Sequence, residues 1–296
     1  MMGYDIREVL PEVFRIPVPL EGNPLKELNS DLFRGSREAK QRNLLVDTGF
    51  RTEGCKKALL KGLGQLGVSM EDTDILLTHL HADHSGNAPE LIRPGGRVYI
   101  SREDYRFMDG TLQEHRSERF RENGIEESLL QAMLACTPSR TMAAPLSFRD
   151  YTLLEEGDVI LAGRYTLRAI WTPGHTPGHF CFEVCGTGAM LLGDHVLFDI
   201  TPNITDWWDV PDSLGNYLRS LDKLEAYPVT LPLPGHRQAG DMKLRIRQLK
   251  EHHKKRLADC LRIVRELQHD PVKNKRVIGI LIIHDFPESV VLQKLS

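Results

Sequence analysis

Residues 74–86 read DILLTHLHADHSG, an apolar run followed at once by three histidines and an aspartate. The apolar part has the length and composition of a buried strand. His79 and His81 are two residues apart and can point the same way from an extended segment, whereas Asp83 and His84 lie on the turn that follows. A protein core rarely holds four such groups together, because each loses hydration unless it binds something. Neutral imidazoles and carboxylates are ligands that zinc, iron and manganese accept, so the stretch predicts a divalent metal site.

Three further clusters of ligand-type residues stand at predicted strand ends, in the segments TPGHTPGH, GDH and PGH. They contribute His175 and His179, then Asp194 with His195, then His236. Each alone is weak support for a metal site, because a single loop histidine is more often solvent-facing or already hydrogen-bonded. A polar surface turn is the alternative interpretation of the first cluster. Together, four clusters at strand ends are hard to explain without a metal.

Apolar strands alternate with helical stretches in the first hundred residues, which favours a layered α/β fold. NLLVDTG (43–49) reads as a buried strand that ends in a turn. Residues 101–140 are charged and helix-prone and are predicted to form an inserted helical segment. Strands return after residue 150, with Glu156-Gly157-Asp158 as a hairpin-like turn. Residues 241–268 have the pattern of a long amphipathic helix.

The composition is that of a globular protein, with 41% hydrophobic and 27% charged residues and a formal net charge of −3 in 296 residues. The near-neutral charge argues against wholesale binding of nucleic acid. No apolar run approaches the roughly 20 residues of a membrane-spanning helix, and the first residues lack the apolar stretch of a signal peptide. Because the five cysteines are scattered and odd in number, a reducing cytoplasm is the expected location.

The ordered motifs LVDTG, HLHADHSG, TPGHTPGH, GD and PGH resemble those of the metallo-β-lactamase superfamily, over about residues 10–265. The resemblance implies a four-layer αββα sandwich with the metals at one edge of the two sheets. Residues 1–240 would form the hydrolase domain, with the helical insertion at about 101–140. Residues 241–296 would form a C-terminal helical extension.

The resemblance also assigns roles by position. Seven residues correspond to metal ligands of the family: His79, His81 and His175 for a first ion, Asp83, His84 and His236 for a second, and Asp194 as the bridge between them. Asp47 matches an aspartate that supports the metal loop, and His179, with no ligand position left, is expected to support the ligands from outside. Two divalent ions are implied; zinc is favoured, and iron and manganese fit the same ligands.

Two positions separate the branches of the family. Class B β-lactamases mostly lack an aspartate at the position of Asp194, and flavodiiron oxygen reductases usually have glutamate in place of His81, so neither antibiotic hydrolysis nor redox di-iron chemistry is expected. Among the binuclear hydrolases, the segments GDHVLFDITPNITDWW and RIRQLKEHHKKRLADCLRIVREL most resemble the glyoxalase II-like and β-lactamase-like protein 2 branch. The tail after His269 departs from that pattern.

The expected reaction is hydrolysis of a small-molecule thioester, ester or lactone by a hydroxide that bridges the two metals, with Asp83 and Asp194 as catalytic residues. Phe198, Trp207 and Trp208 are candidate substrate-pocket residues, although the tryptophans could equally anchor their loop to the core.

The alternative is a nuclease that cleaves single-stranded RNA. Basic residues outnumber acidic ones between Asp241 and Gln268, and Lys273, Lys275 and Arg276 follow, so this region could track a phosphate backbone. An ordinary basic helix face is slightly favoured over such a track. A metal-binding protein without turnover is a third interpretation, which the complete ligand set disfavours. A homodimer is compatible with the sequence.

Overall fold

The structure is a computed structural model that describes residues 5–36, 38–108, 111–122, 124–135, 141–205 and 207–267. Its strands are β1 (Arg7–Leu10), β2 (Val13–Pro19), β3 (Glu27–Phe33), β4 (Asn43–Val46), β5 (Thr73–Leu76), β6 (Val98–Ser101), β7 (Thr152–Leu154), β8 (Val159–Ala162), β9 (Tyr165–Trp171), β10 (Phe180–Val184), β11 (Ala189–Gly193) and β12 (Leu231–Pro234). Its helices are α1 (Glu53–Gln65), α2 (Ala82–Ser85), α3 (Ala88–Leu91), α4 (Arg102–Arg106), α5 (Thr111–Glu122), α6 (Glu127–Ala135), α7 (Ser213–Glu225) and α8 (Met242–Leu267), with a 3₁₀ turn at Met70–Asp72.

The strands form two sheets. In the described residues the first sheet has seven strands in the order β1 to β7, and the second has five in the order β12-β11-β10-β9-β8. Strands β1 to β4 pair antiparallel, whereas β4 to β7 pair parallel. In the second sheet only β11 and β12 pair parallel among the described strands. Parallel pairs place the carboxyl ends of their strands at one edge, which is where the motif histidines follow.

Both sheets are covered on both faces. Leu44, Val46 and Leu76 face Phe182 and Leu191 in a core between the sheets. The residues between them in sequence point the other way, as strand geometry requires. On the outer face of the first sheet, residues such as Leu45 and Ile75 pack with Leu59 and Leu63 of α1. On the outer face of the second, Cys181 and Met190 pack with Tyr217 and Leu221 of α7. The layers are therefore helix, sheet, sheet, helix, which confirms the predicted αββα sandwich.

The inserted and C-terminal segments are helical where they are described. Helices α4 to α6 occupy the region predicted as an insertion, and Phe120, Ile125, Leu130 and Met133 form a small core of their own there. Helix α8 matches the long helix predicted for residues 241–268. None of the described helices combines the length and apolar character needed to cross a membrane.

The early turns of α8 pack on the sandwich, because Met242, Ile246 and Leu249 join the core on the second sheet. The boundary at residue 240 between a hydrolase domain and an extension stays a prediction. The tail after His269, with Lys273, Lys275 and Arg276, lies outside the described residues.

The sequence predicts a hairpin-like turn at Glu156-Gly157-Asp158, but in the structure this turn does not join two paired strands. Strand β7 before it belongs to the first sheet and β8 after it to the second, so the turn carries the chain from one sheet to the other. Gly157 takes the positive φ of 85° that the turn requires, and its N–H donates to the carbonyl of Ala169 in β9. A hairpin turn and a turn that crosses between sheets need the same residue types. Tertiary packing decides which strand β8 pairs with.

Candidate metal centre

The ligand-type residues predicted from sequence meet at one edge of the two sheets. His79 and His81 follow β5, and Asp83 and His84 lie on α2 directly after them. His175 comes from the loop between β9 and β10. Two further residues follow the parallel pair of the second sheet: Asp194 after β11 and His236 after β12.

Three groups of these side chains have ligand atoms within 4.8 Å of one another: His79, His81 and His175; Asp83, His84 and His236; and His79, His84 and Asp194. We call the first the three-histidine group and the second the Asp83 group. Together the three groups contain all seven residues that the family resemblance assigned as ligands.

Asp194 lies between the two groups and turns a different oxygen to each. Its Oδ1 is 3.4 Å from Nε2 of His84 and 3.5 Å from Nε2 of His236, whereas its Oδ2 is 3.7 Å from Nε2 of His175. On the other side of the Asp83 group, Nε2 of His236 is 3.4 Å from Oδ2 of Asp83. A carboxylate in this position can join two cations, one in each group.

Hydrogen bonds from outside hold the rings in place. Nδ1 of His84 lies 2.7 Å from Oδ2 of Asp47, Nδ1 of His175 lies 2.7 Å from the carbonyl oxygen of Asn203, and Nδ1 of His236 lies 2.7 Å from that of Glu27. Each acceptor fixes its ring with Nδ1 protonated, which leaves Nε2 turned toward the centre as the atom that can bind a metal.

Asp47, which the family resemblance assigned a supporting role, contacts the segment of His79 and the ring of His84. Its Oδ1 accepts from the N–H of Thr78, and its Oδ2 accepts from the hydroxyl of Thr78 as well as from His84. Its backbone has a positive φ of 58°, which turns the chain after β4 toward the ligands. The LVDTG turn and the HLHADH segment are thereby tied together.

Ring nitrogens from different histidines lie close together at the centre. Nε2 of His84 is 3.1 Å from Nε2 of His236, and Nε2 of His79 is 3.1 Å from Nδ1 of His81. Among the described residues, neither Nε2 of His175 nor Oδ1 of Asp194 has a hydrogen-bond partner, although both atoms are buried. Buried polar atoms without partners are costly unless a cation binds them. The donor set and its burial therefore fit divalent metal ions.

The two groups differ in charge. Burial lowers the pKa of His79 far below its ordinary range, lowers that of His81 to about 3 and also lowers that of His175, so these rings are neutral at pH 7. Burial acts the same way on His84 and His236, but the carboxylates around them outweigh it and raise both pKa values.

The carboxylates themselves stay ionised. Burial alone would raise their pKa values, but His84 and His236 hold the pKa of Asp83 down at about 2, and the same two rings, joined by His175, hold that of Asp194 well below its usual range. The centre therefore presents ionised carboxylates beside the neutral imidazoles of the three-histidine group, and both are ligand types that divalent cations accept.

His179 lies beside the ligand groups and is not part of the three groups named above. It is fully buried, its Nδ1 lies 2.9 Å from the hydroxyl of Thr172, and its Nε2 accepts from the backbone N–H of Asp194 at 3.2 Å. Burial lowers its pKa far below the ordinary value. The neutral ring therefore touches the backbone of a candidate ligand, as a supporting residue would.

The candidate pocket residues have three different surroundings. Trp207 is buried, stacks over His81 with ring centroids 6.2 Å apart and directs its indole N–H to the carbonyl oxygen of His175 at 3.4 Å. Trp208 is 46% exposed and stacks on His115 of α5 at 4.2 Å. Phe198 packs at the margin of the core on the second sheet. Of the three, Trp207 is the one next to the ligand groups.

Two contacts at the centre were missed from sequence. The carbonyl oxygen of Asn203 that holds His175 is a backbone atom, so the residue type gives no hint of it. Asp104 is a fully buried carboxyl on α4 that accepts hydrogen bonds from the two segments carrying His79, His81 and His175. Burial raises its pKa to about 7. It stands in a charged stretch, SREDYR, where nothing distinguishes it from solvent-facing neighbours.

Comparison with known proteins agrees with this geometry. The sequence profile of the Metallo-beta-lactamase superfamily matches residues 37–236. A metallo-beta-lactamase family protein from Thermus thermophilus superposes with a TM-score of 0.74 at 31% identity, covering 87% of this chain and 84% of that one. A beta-lactamase domain protein from Burkholderia ambifaria gives 0.73 at 28% identity, covering 89% and 80%.

Two fungal relatives are similar in sequence. A lactamase-like protein of Aspergillus niger is 26% identical over 266 residues, which cover 87% of this chain and 65% of that protein. The atrochrysone carboxyl ACP thioesterase of Paecilomyces divaricatus is 25% identical over 232 residues, which cover 78% of this chain and 57% of that protein. The chain thus spans about half to two thirds of the length of the fungal relatives it matches.

Proposed function

Because this chain belongs to the metallo-beta-lactamase superfamily, we propose that it is a hydrolase and that it cleaves acyl thioesters at a centre of two divalent metal ions. The observation that carries the proposal is the position of Asp194. Its two oxygens face two separate groups of ligand atoms, and Oδ1 is buried without a hydrogen-bond partner among the described residues.

The residues divide between two ions. The three-histidine group would hold one, the Asp83 group the other, and Asp194 would contact both. Zinc is the ion we propose, and iron or manganese would suit the same ligands. Bound ions would supply a water of lowered pKa and polarise the carbonyl of the substrate.

The chain's own residues determine how a substrate enters. His81 and Asp83 are partly exposed, whereas His79, His84 and His236 are fully buried. A substrate therefore approaches over His81 and Asp83. The carboxylate of Asp83 faces that opening and is ionised at pH 7, so it can accept a hydrogen bond from an attacking water and orient it.

We place the acyl group beside Trp207, whose ring lies over His81 and meets the edge of Phe107 at 5.4 Å. An apolar or aromatic acyl group would pack against that ring, while the thiol portion of the substrate extends toward solvent. Trp208, which stacks on the inserted helix α5, has no direct part in this arrangement.

Relatives named as thioesterases support the thioester class over the ester and lactone classes. Several of them carry the name atrochrysone carboxyl ACP thioesterase. A glyoxalase II-like enzyme would instead prefer an acyl-glutathione, so the choice of thiol distinguishes these branches. We propose an acyl thioester of a pantetheine-type thiol as the substrate class.

The test compares initial rates with four probes on one zinc-loaded preparation: an aromatic acyl thioester of N-acetylcysteamine, the same acyl group on glutathione, the matching oxygen ester, and a single-stranded RNA. Asp194→Ala serves as the blank and should lose nearly all hydrolysis together with at least one equivalent of metal. Asp209→Asn, an exposed carboxylate of the same loop that pairs with Arg106, is the matched control and should retain the wild-type rate.

We expect the N-acetylcysteamine thioester to be hydrolysed fastest, with RNA at the level of the blank. A faster rate on the glutathione thioester would place the chain with the glyoxalase II-like enzymes. RNA cleavage lost in Asp194→Ala would make it a nuclease and give the basic residues of α8 a role in binding. Full metal content and activity in Asp194→Ala would refute the two-metal centre.

A further inference from the structure

Asp104 is a buried carboxyl that receives three hydrogen bonds from elsewhere in the chain. It lies on α4, just after β6, with no exposed surface. Its Oδ2 accepts from the backbone N–H of Leu80 at 2.8 Å and from the hydroxyl of Thr176 at 2.9 Å. Its Oδ1 accepts from the backbone N–H of Gly178 at 2.6 Å.

These donors belong to the two segments that form the three-histidine group. Leu80 stands between His79 and His81 in the segment that follows β5 of the first sheet. Thr176 follows His175 directly, and the loop runs on to Gly178 before β10 of the second sheet. The single carboxylate of Asp104 therefore joins ligand segments from the two different sheets.

We propose that Asp104 is a positioning residue for the three-histidine group, which sets the separation between the segment of His79 and His81 and the loop of His175 and so determines metal affinity there. The inference rests on the metal centre of the proposed function. The positioning role predicts that loss of Asp104 weakens metal binding at the three-histidine group and leaves it unchanged at the Asp83 group.

The geometry requires two acceptor oxygens. The N–H groups of Leu80 and Gly178 approach opposite oxygens of the carboxylate. An asparagine has one acceptor oxygen, so in either orientation its NH₂ would face one of these two N–H groups, and two donors repel. The amide therefore fits the same space but cannot bridge the segments.

The surroundings of Gly178 show how closely the loop is held. A Cβ added there would lie 2.3 Å from the backbone nitrogen of Asp104 and 2.1 Å from Oγ of Ser101. Such contacts are impossible, so only glycine lets this N–H reach the carboxylate. The loop therefore lies in direct contact with the start of α4.

The Asp83 group is held by different contacts and provides an internal comparison. His84 is fixed by Asp47, and His236 by the carbonyl of Glu27. The three hydrogen bonds accepted by Asp104 come from other residues. A purely structural role of Asp104 would affect both groups alike, whereas a positioning role would affect the three-histidine group alone.

The experiment measures zinc affinity by competition with a chromophoric chelator in two single-site backgrounds. Asp83→Ala leaves the three-histidine group as the complete group, and His81→Ala leaves the Asp83 group. We expect Asp104→Asn to lower affinity about ten- to hundredfold in the Asp83→Ala background, as is typical when a residue that orients a ligand is lost. In the His81→Ala background the change should stay within about threefold.

Two matched variants control for stability. Thr52→Ala removes the hydroxyl that accepts from the N–H of Cys55 and caps α1, so it should lower Tm but leave zinc affinity unchanged. Thr176→Val keeps the shape of the side chain and removes only the hydroxyl hydrogen bond to Asp104. The two backbone N–H bonds that join the segments remain, so the variant should have less effect on zinc affinity than Asp104→Asn. If Asp104→Asn does not fold, Asp104→Glu keeps both acceptors but lengthens the bridge by one methylene, and it should weaken the same site.

The outcomes separate this inference from the proposed function. If the wild-type protein binds no zinc, the metal centre itself is wrong. If the wild type binds two equivalents and Asp104→Asn leaves both sites unchanged, or weakens both equally while Tm falls, the positioning role is overturned and the metal centre stands. Loss confined to the Asp83→Ala background establishes the positioning role.

Discussion

Replacing Asp47 by asparagine should weaken metal binding at the Asp83 group by about thirtyfold. Asparagine suits the left-handed backbone of this position (φ 58°), but it has one acceptor oxygen where the carboxylate takes three hydrogen bonds from Thr78 and His84. With its oxygen toward His84, the amide turns its NH₂ to the N–H of Thr78, which is left unpaired; with its oxygen toward that N–H, it turns its NH₂ to Nδ1 of His84, which loses its acceptor. Either change costs about 2 kcal/mol, which is about thirtyfold in affinity.

The size of this effect should depend on pH. Burial disfavours the charged form of His84, but Asp47, followed by Asp194 and Asp83, outweighs burial and raises the pKa of the ring. A ring must give up its proton at the binding nitrogen before it binds metal, so in the wild type protons compete with the metal as the pH falls. Removing the charge of Asp47 lowers the pKa of His84 and weakens that competition. The deficit should be largest near pH 8 and smaller at pH 6.

The assay is a zinc competition titration of both proteins between pH 6 and 8. Asp31→Asn is the control, because Asp31 is as buried as Asp47 (2% exposed) but pairs with Arg15 away from the centre. It should lower the free energy of unfolding without changing zinc affinity. Wild-type affinity in Asp47→Asn at pH 8, or an equal loss in Asp31→Asn, would refute the reasoning.

Three other changes have defined outcomes. Trp207→Ala removes the ring over His81 and should raise KM for an aromatic acyl thioester about tenfold with a smaller change in kcat; equal KM values would remove Trp207 from the pocket. Gly174→Ala places a Cβ 2.4 Å from that of Tyr217 at a φ of 142° and should cost about 3 kcal/mol of unfolding free energy in urea. Burial lowers the pKa of His253 to about 4. The stability contributed by its neutral form is therefore complete above the unfolded pKa and lost as the pH falls toward 4. Phenylalanine does not titrate, so the free energy of unfolding of His253→Phe should rise relative to that of the wild type by about 2 kcal/mol as the pH falls from 7.5 to 5.

The candidate ligand residues could be grouped from sequence because each lies in the segment that follows an apolar strand. A buried strand fixes where its last residue lies, and parallel neighbours end at the same edge of a sheet. His79 follows β5 in the parallel part of the first sheet and His236 follows β12 in the parallel pair of the second. The packing of the two sheets then brings these segments together, although 157 residues separate His79 from His236 in sequence. The family resemblance then supplied the pairing of ligands into groups, which the residue types alone do not determine.

Contacts that depend on packing were not predictable in this way. Asp104 reaches Leu80 across 24 residues and Gly178 across 74, and its charged neighbours in sequence face solvent. Trp207 and Trp208 are adjacent and alike in sequence, yet one is buried at the centre and the other stacks on α5. The turn at Glu156–Asp158 has the chemistry of a hairpin but crosses between sheets. In each case the surroundings of the residue depend on which element packs against it, and the spacing of residues in the sequence does not predict that.

The candidate ligands are held by different parts of the chain, and this difference limits how the substrate pocket can change. His84 and His236 are fixed by Asp47 after β4 and by the carbonyl of Glu27 in β3, both parts of the first sheet. His175 is instead fixed by the carbonyl of Asn203, in the same loop that carries Trp207. A change of that loop for a new acyl group therefore also moves the partner of a ligand. Changes in the loop that alter the substrate should therefore weaken metal binding at the three-histidine group before they weaken it at the Asp83 group.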